Sequence, residues 1–517
     1  MCAPSTLLLQ LTTIGGTRQR GQPNVKVYAV VGVPPEIQAY AMAKYSRSAQ
    51  SMLESIGELS TQRAEQFLDT FYFQYGHRSI ADLAHLVLAV EDVSILAAVR
   101  VVDEPLWDGQ ERSTRYQPFK KTGYFTPPEL EGEVAARYRE AGDALFTAYD
   151  GLTADLLGLL VEVVPRPAEL DPKGFERTLR ARAFDVSRGL LPLATITSLG
   201  QITSARVLER QISRLLSDPL PEVQRIGEAL RRACLEPAEE PYRNGGEPVR
   251  AAPTLVKYTQ PSPYLIETRR ELESLAGEAP RLLGPPDVGR AVELADDESP
   301  FDEAVATLLY RADPVGHSYR QVQAAVRAMP ERRKREVLDL AVARRGRHDE
   351  LLRELQVGYQ LKFDILMDYG SFRDLHRHRR CVQVIQEPTP DHGVEPAADV
   401  FPRAFGAEVA KRALQTGLGE RYDWALADGL TRVRELSADA PLAAPYLLPM
   451  ATLARALFKM DAAQAIYMAE LRTAPAGHFS YRRVAWEMYL ALREHAPELA
   501  ALARPADPTE VFDLLQR

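Results

Sequence analysis

The chain of 517 residues is poor in cysteine: Cys2, Cys234 and Cys381 are all it has, with no CxxC pair and no even set. A disulfide-built framework and a zinc ribbon are therefore excluded, and the usage fits a reducing compartment. It also lacks a basic excess. Lys and Arg number 63 against 71 Asp and Glu, a net charge of -8, which argues against a protein that coats nucleic acid. No uninterrupted apolar run approaches the ~20 residues of a membrane helix. The best candidate, residues 152–164, is broken by Asp155 and Glu162. No basic stretch precedes the first short leucine run, so the expected location is cytoplasmic, away from a membrane. Missing too are the glycine-rich dinucleotide fingerprint, the P-loop, HExxH and the GxSxG elbow.

What remains is an ordinary globular balance, 45% hydrophobic and 26% charged. The β-branched run Val25–Val33 reads as a strand ending at Pro34-Pro35, and residues 35–74 carry a helical spacing. Residues 83–93 alternate like a strand, and 94–102 read as a short helix. A long helix is expected over 132–164, up to the Pro165-Arg166-Pro167 break. Residues 175–216 read as helical with one interruption at Pro192. Pro and Gly cluster over 236–300, a connector with room for a helix at 267–276. Helical pattern then runs from 301 to the end, with a break around Pro388-Thr389-Pro390.

One segment recurs. Leu190-Leu191-Pro192-Leu193-Ala194-Thr195 returns 257 residues later as Leu447-Leu448-Pro449-Met450-Ala451-Thr452, an offset near half the chain. The helical context matches in both places, which points to a tandem duplication.

Three clusters carry chemistry. Gln110-Glu111-Arg112-Ser113-Thr114-Arg115-Tyr116 sets two guanidiniums, a hydroxyl and a carboxylate in a loop. That combination suits a phosphate, although on the loop alone a solvated polar turn with a local Glu–Arg pair is the favoured reading. His376-Arg377-His378-Arg379-Arg380-Cys381 offers positive charge for a pyrophosphate or an electron-rich ring; a basic patch touching nucleic acid or an acidic neighbour is the alternative. No metal site is expected, because the histidines lack further ligands at suitable spacing. The cations around Cys381 are expected to lower its pKa, yet no partner base stands in the sequence. Arg206, Arg210 and Arg214 share one helix face beyond Arg188. Like charges so close need an anion or carboxylates, for which Glu209 and Glu222 are available.

Together these segments resemble the flavin-dependent thymidylate synthase family. Its hallmark reads approximately RHRxxSxNExSxRY, after a GHxSxxEH-like segment and before an ARxxLP helix with NAR and LR arginines. Gly76-His77-Arg78-Ser79 resembles the upstream segment, and Gln110–Tyr116 resembles NExSxRY. Ser187-Arg188-Gly189-Leu190-Leu191-Pro192 resembles ARxxLP, Ser204-Ala205-Arg206 resembles NAR, and Arg214 stands near the LR arginine. At the RHR positions of this half stand Asp103-Glu104-Pro105. The second half is the opposite case: Arg377-His378-Arg379 and Leu471-Arg472 match, while SxRY, the ARxxLP arginine and NAR are gone.

The resemblance implies an α+β fold of two tandem domains, each a small, mostly antiparallel sheet with long helices, over 1–235 and 301–517, joined by 236–300. It implies reductive methylation of dUMP to dTMP, with carbon from methylenetetrahydrofolate and hydride from FAD reduced by NADPH, and no protein nucleophile. Ser113 and Arg115 would hold the nucleotide phosphate, helped by Arg188 and by Arg214 or Arg472, with Glu111 near the pyrimidine. Arg377, His378 and Arg379 would hold FAD, with His77 and Arg206 beside it. Two chains would rebuild the family's tetramer as a homodimer. The alternative is a non-catalytic homologue that binds flavin or a nucleotide.

Overall fold

Proline is favoured in the first turn of a helix, where its missing N–H is no loss, and Pro35 opens α1 (Pro35–Lys44) in this way. The computed structural model describes residues 34–44, 78–119, 123–238, 249–277, 285–287, 289–295, 299–346, 352–501, 503–510 and 514–515. The strand expected at 25–33 and most of the helical stretch expected up to 74 lie outside these residues.

The alternating pattern near residue 85 becomes β1 (His85–Ser94), one face buried and the other open, with Val87 77% exposed. Ser94 then ends the strand and caps α2 (Ile95–Val102), its Oγ accepting from the Ala97 N–H at 3.0 Å. There follow β2 (Asp108–Glu111), the long α3 (Gly132–Val163), α4 (Pro172–Ser187), β3 (Ile196–Ser204), α5 (Ala205–Leu216) and α6 (Pro221–Leu235). The strand β3 replaces part of the helix expected over 175–216. Thr195, Thr197, Leu199 and Gln201 are buried while their neighbours are more open, and this period of two outweighs the surrounding helical spacing. By length and apolar content α3 could cross a bilayer. Its apolar side, including Phe146, Leu152, Leu156 and Leu160, is buried, and the helix packs against α4.

A two-residue ladder, β4 (Pro237–Ala238) with β5 (Val249–Arg250), precedes α7 (Pro263–Ala276), which Ser262 caps. The second half then runs β6 (Val292–Leu294), α8 (Pro300–Ala312), α9 (Tyr319–Ala328), α10 (Glu331–Val342), β7 (Leu361–Asp368), α11 (Tyr369–Leu375), β8 (Val382–Ile385), α12 (Ala397–Phe405), α13 (Ala407–Gln415), α14 (Leu418–Ser437), β9 (Leu453–Met460), α15 (Ala462–Thr473) and α16 (Phe479–His495). Three strands, β7, β8 and β9, interrupt the helical run expected here. In β7 and β9 almost every residue is buried, so neither strand shows the alternation that betrays a half-exposed one. Val305, Leu309, Val322 and Val337 of α8–α10 pack in one core with Val382, Val384 and Leu457 of the sheet. Buried charges on these strands are paired: Arg455 with Asp364 at 2.8 Å, and Lys459 with Glu303 at 3.0 Å.

The chain forms two compact units. One comprises residues 1–86, 204–206 and 233–257. Within it Glu36 accepts the backbone N–H groups of Thr254 and Leu255, and Arg206 pairs with Asp82 at 3.0 Å. The other, residues 87–203, 207–232 and 258–517, contains both sheets.

Three strands of each sheet follow one order, β1-β3-β2 in the first and β7-β9-β8 in the second, where β6 adds an edge strand; β2–β3, β6–β7, β7–β9 and β8–β9 pair antiparallel. Asp108 faces Ile202 and Glu111 faces Leu199; Val382 faces Lys459 and Ile385 faces Ala456. The two repeated LLPxAT segments bind each other, with Pro192 bridged antiparallel to Pro449. Around that bridge the backbone bonds come in reciprocal pairs. Leu193 N–H donates to Leu448 O, and Met450 N–H to Leu191 O, both at 2.9 Å. Ala194 N–H donates to Tyr446 O, and Ala451 N–H to Gly189 O. This is an isologous contact within one chain, with a pseudo-two-fold axis through the two prolines.

Candidate functional site at the junction of the halves

Residues 185–188 stand where α4 gives way to a single 3-10 turn, Arg188–Leu190. On the last helical turn Asp185 is buried, and its carboxylate accepts from Arg115 Nε at 2.9 Å, with Arg182 Nη1 at 3.6 Å. Burial works against the charge on Arg115, but Asp185 beside it more than offsets this and raises its pKa. Arg188 is also buried; it reaches Thr114 Oγ1 at 3.4 Å and Asp374 Oδ2, in the second half, at 3.2 Å. Burial opposes the charge on Asp374, and the Arg188 and Arg115 guanidiniums overcome it, holding its pKa below the ordinary value. Arg373, beside Asp374 on α11, binds Glu111, and Thr197 donates to the same carboxylate oxygen at 3.3 Å.

His478 closes the cluster. Its Nε2 lies 2.9 Å from the Asp185 carbonyl oxygen, and its Nδ1 accepts the Ser480 N–H at 3.2 Å. The ring is neutral, donating from Nε2. Burial, with Arg188 and Arg115 nearby, pushes its pKa down to about 3. The cavity lined by Asp185, Arg188, Asp368, His478 and Ser480 is about 30 Å³, room for a water and not for a nucleotide.

So the structure brings Glu111, Arg115 and Arg188 together with second-half residues. Each guanidinium already holds an internal carboxylate. Ser113 uses its Oγ to accept the Arg115 N–H at 3.2 Å. The motif alone does not reveal Asp185 or His478. The available signals were a carboxylate on an otherwise apolar helix face and a histidine at a helix N-cap.

Arg214 and Arg472 stand elsewhere, at equivalent places in the two halves. Arg214 Nε donates to Glu104 at 2.9 Å, and Arg472 Nε donates to His378 Nε2 at 2.6 Å. His378 is therefore neutral with its proton on Nδ1, which is satisfied when the adjacent Gln464 amide turns its oxygen to the ring, and burial and Arg472 push the pKa down to about 3. The expected partners of the arginine face are thereby corrected. Glu104 meets Arg210 and Arg214, Asp82 meets Arg206, and Glu222 turns away to bind Ser94.

Arg377 is exposed, and no hydrogen bond or ion pair ties it to a described residue. Arg379 lies over the Trp107 ring, 4.3 Å from its centroid, and its buried Nε–H meets no acceptor. His77 lies outside the described residues, and Arg206 belongs to the other compact unit. Cys381 departs from expectation. It is buried, donates to the His378 carbonyl oxygen at 3.0 Å, and burial pushes its thiol up to about 12.

Across the pseudo-axis the equivalent place is built differently. Asp103 is held by Arg353, and Glu387 by Arg100 and Arg311. Burial opposes the charge on Glu387, but the two arginines draw its pKa down to about 2. Pro445 stands where Arg188 stands in the first half.

The model of the thymidylate synthase complementing protein family matches residues 32–238 and again 303–498. The chain belongs to this family. The two matches are the two halves of the tandem duplication. Among relatives of the chain is a UPF0159 protein of Chlamydia muridarum, 26% identical over 94% of this chain and 92% of its own length. A UPF0159 protein of Thermoplasma acidophilum is 25% identical, over 90% and 94%. Two structures of thymidylate synthase ThyX from Helicobacter pylori, both with FAD and dUMP, are 16% identical over 39% of this chain and 89% of theirs, with TM-scores of 0.26 and 0.27. Family membership fits the small antiparallel sheets and long helices described above.

Proposed function

We propose that this chain is a flavin-dependent thymidylate synthase with one composite nucleotide site per chain, converting dUMP to dTMP. The observation that supports it is the junction cluster. Arg188 and Glu111 of the first half bind Asp374 and Arg373 of the second, with Arg115 beside them on Asp185. A phosphate entering here would take over guanidiniums that now hold Asp185 and Asp374. Charge-assisted, bidentate bonds to Arg make that exchange favourable only where the displaced carboxylates find water or another cation. Arg182, 3.6 Å from Asp185, is such a cation. Glu111, held by Arg373 and Thr197, would accept from the pyrimidine edge.

FAD, reduced by NADPH, supplies hydride in this reading, and methylenetetrahydrofolate supplies carbon. The residues at 377–379 fit an anionic, flat cofactor: a free guanidinium at Arg377 and an orphaned Nε–H at Arg379. A cytoplasmic homodimer belongs to the same proposal.

A second reading has its own support. The arginines of the junction are neutralised from within and the cavity is only about 30 Å³, as suits a homologue that does not turn over. An assay for tritium release from 5-labelled dUMP, with FAD, NADPH and methylenetetrahydrofolate, separates the two. Release carries the synthase reading. Binding of both ligands with no release sinks it in favour of the second.

A further inference from the structure

The flavin reading rests on a motif in the second half, yet a first-half residue governs how that motif is presented. Trp107 is buried to 4% exposure and fixed on several sides. Its Nε1 donates to Gln201 Oε1 at 2.6 Å. Gln201 is bonded in turn to Gln211 at 3.0 Å, and Gln211 to the Val101 carbonyl oxygen at 2.7 Å. Gly109 lies so close to the indole that a Cβ there would come within 2.4 Å of its Cη2. On one face of this immobile ring sits the Arg379 guanidinium. Tyr467, 53% exposed, lies edge-on to the neighbouring His378.

We propose that Trp107 is a positioning residue for the cofactor: it holds the Arg379 guanidinium as a flat plate whose other face takes the ring of a flavin dinucleotide. The proposal rests on the reading of 377–379 as the flavin grip. An arginine is long and rich in rotamers, so a plate for stacking needs a support that fixes its plane. A cation over an indole face is such a support, and it strengthens when desolvated. Arg379 needs one more than most: burial and the neighbouring Arg377 both disfavour its charge, with Asp108 the carboxylate that favours it. A flat ring suits the free face of the guanidinium, and a diphosphate suits the unpaired Arg377 two residues away. The device joins the halves, since the plate comes from one copy of the duplication and its support from the other.

Titration of the full chain with FAD, read by quenching of flavin fluorescence, tests this through a double-mutant cycle. Trp107→Ala and Arg379→Ala should each weaken FAD binding on the order of ten-fold, since about 1.4 kcal/mol is a factor of ten. Trp107→Phe, which keeps an aromatic face, should recover binding to within about three-fold. The double variant Trp107→Ala/Arg379→Ala should bind no more weakly than Arg379→Ala alone. Gln201→Leu, which keeps the indole but removes the acceptor of its Nε1–H, covers the case that Trp107→Ala fails to fold, and should weaken binding in the same direction. Parent-like binding by Trp107→Ala or by Gln201→Leu, or losses that multiply in the double variant, overturn the inference and leave the flavin reading intact. A parent that binds no FAD overturns the flavin reading itself, and the inference with it.

Discussion

Ser94 donates its hydroxyl to Glu222 at 2.7 Å in the first half, and in the second half the same pair is inverted: Ser480 donates to Asp368. Ser94 and Asp368 are both helix N-caps at the end of equivalent strands, and Glu222 and Ser480 both lie at the start of the helix that packs there. Hydroxyl and carboxylate have traded places and the bond has survived. The swap yields a test. Ser94→Asp alone should destabilise the chain by about 2–4 kcal/mol, because two carboxylates then share a buried site. Ser94→Asp with Glu222→Ser should recover most of the loss. Urea midpoints of parent, single and double variants measure it, and a double no better than the single would show that the sites are not equivalent.

Removing Arg115 leaves the buried Asp185 with Arg182 at 3.6 Å. Arg115→Ala should cost about 2–3 kcal/mol of stability, less than breaking a buried pair that has no second cation. Adding Asp185→Asn should recover a large part, which chemical denaturation can read. A surface-like cost below about 1 kcal/mol for Arg115→Ala would contradict the burial described for this pair.

The LR arginines should differ in the same currency. Arg210→Ala with Arg214→Ala leaves the buried Glu104 carboxylate without either of its cations, at about 3–5 kcal/mol. Arg472→Ala removes one bond to a neutral His378, a loss of about 1–2 kcal/mol. Thermal unfolding of both variants should rank them in that order.

Buried histidines held below their ordinary value give the chain an acid limit, His378 and His478 most of all, with His376 and His392 adding to it. His378 and His478 have folded pKa values of about 3, against 6.5 in the unfolded chain. Between these values the unfolded state binds protons that the native state refuses, so stability is complete above pH 6.5 and falls as pH drops. At pH 5 the loss is about 2 kcal/mol per histidine, from ~1.36 kcal/mol per pH unit. Denaturation at pH 7.5 and pH 5 should show this drop, and His378→Gln should shrink it. An unchanged drop would mean that His378 is protonated in the folded chain.

Bound flavin should not exceed one FAD per chain. At the first-half positions equivalent to Arg377–Arg379, Asp103 is tied to Arg353 and Glu104 to Arg210 and Arg214, and Pro105 has no donor to offer. Flavin absorbance at saturating FAD gives the ratio, and a value near two per chain would refute the assignment.

The short helix at 95–102 and the long one at 132–163 were legible because caps and prolines mark their ends. The strands β3, β7 and β9 were not. β7 and β9 are buried on both faces, so their sequences lose the period of two, and Lys362, Asp364, Arg455 and Lys459 look like surface residues until their partners are known. In the site, the ERSTRY loop and Arg188 were visible as cations in a motif. Asp185, Trp107 and His478 were not, because their meaning comes from contacts between segments far apart in the chain.

The reciprocal bonds around Pro192 and Pro449 bear also on how such a molecule can change. In a dimer of identical chains, one gene change is stamped on both sides of the axis, and a glutamate put in place of a histidine would alter every site together. Fusion lifts that constraint. Each copy can drift on its own, so long as the seam between them holds, and Glu104 opposite His378 is what such independent inheritance leaves behind.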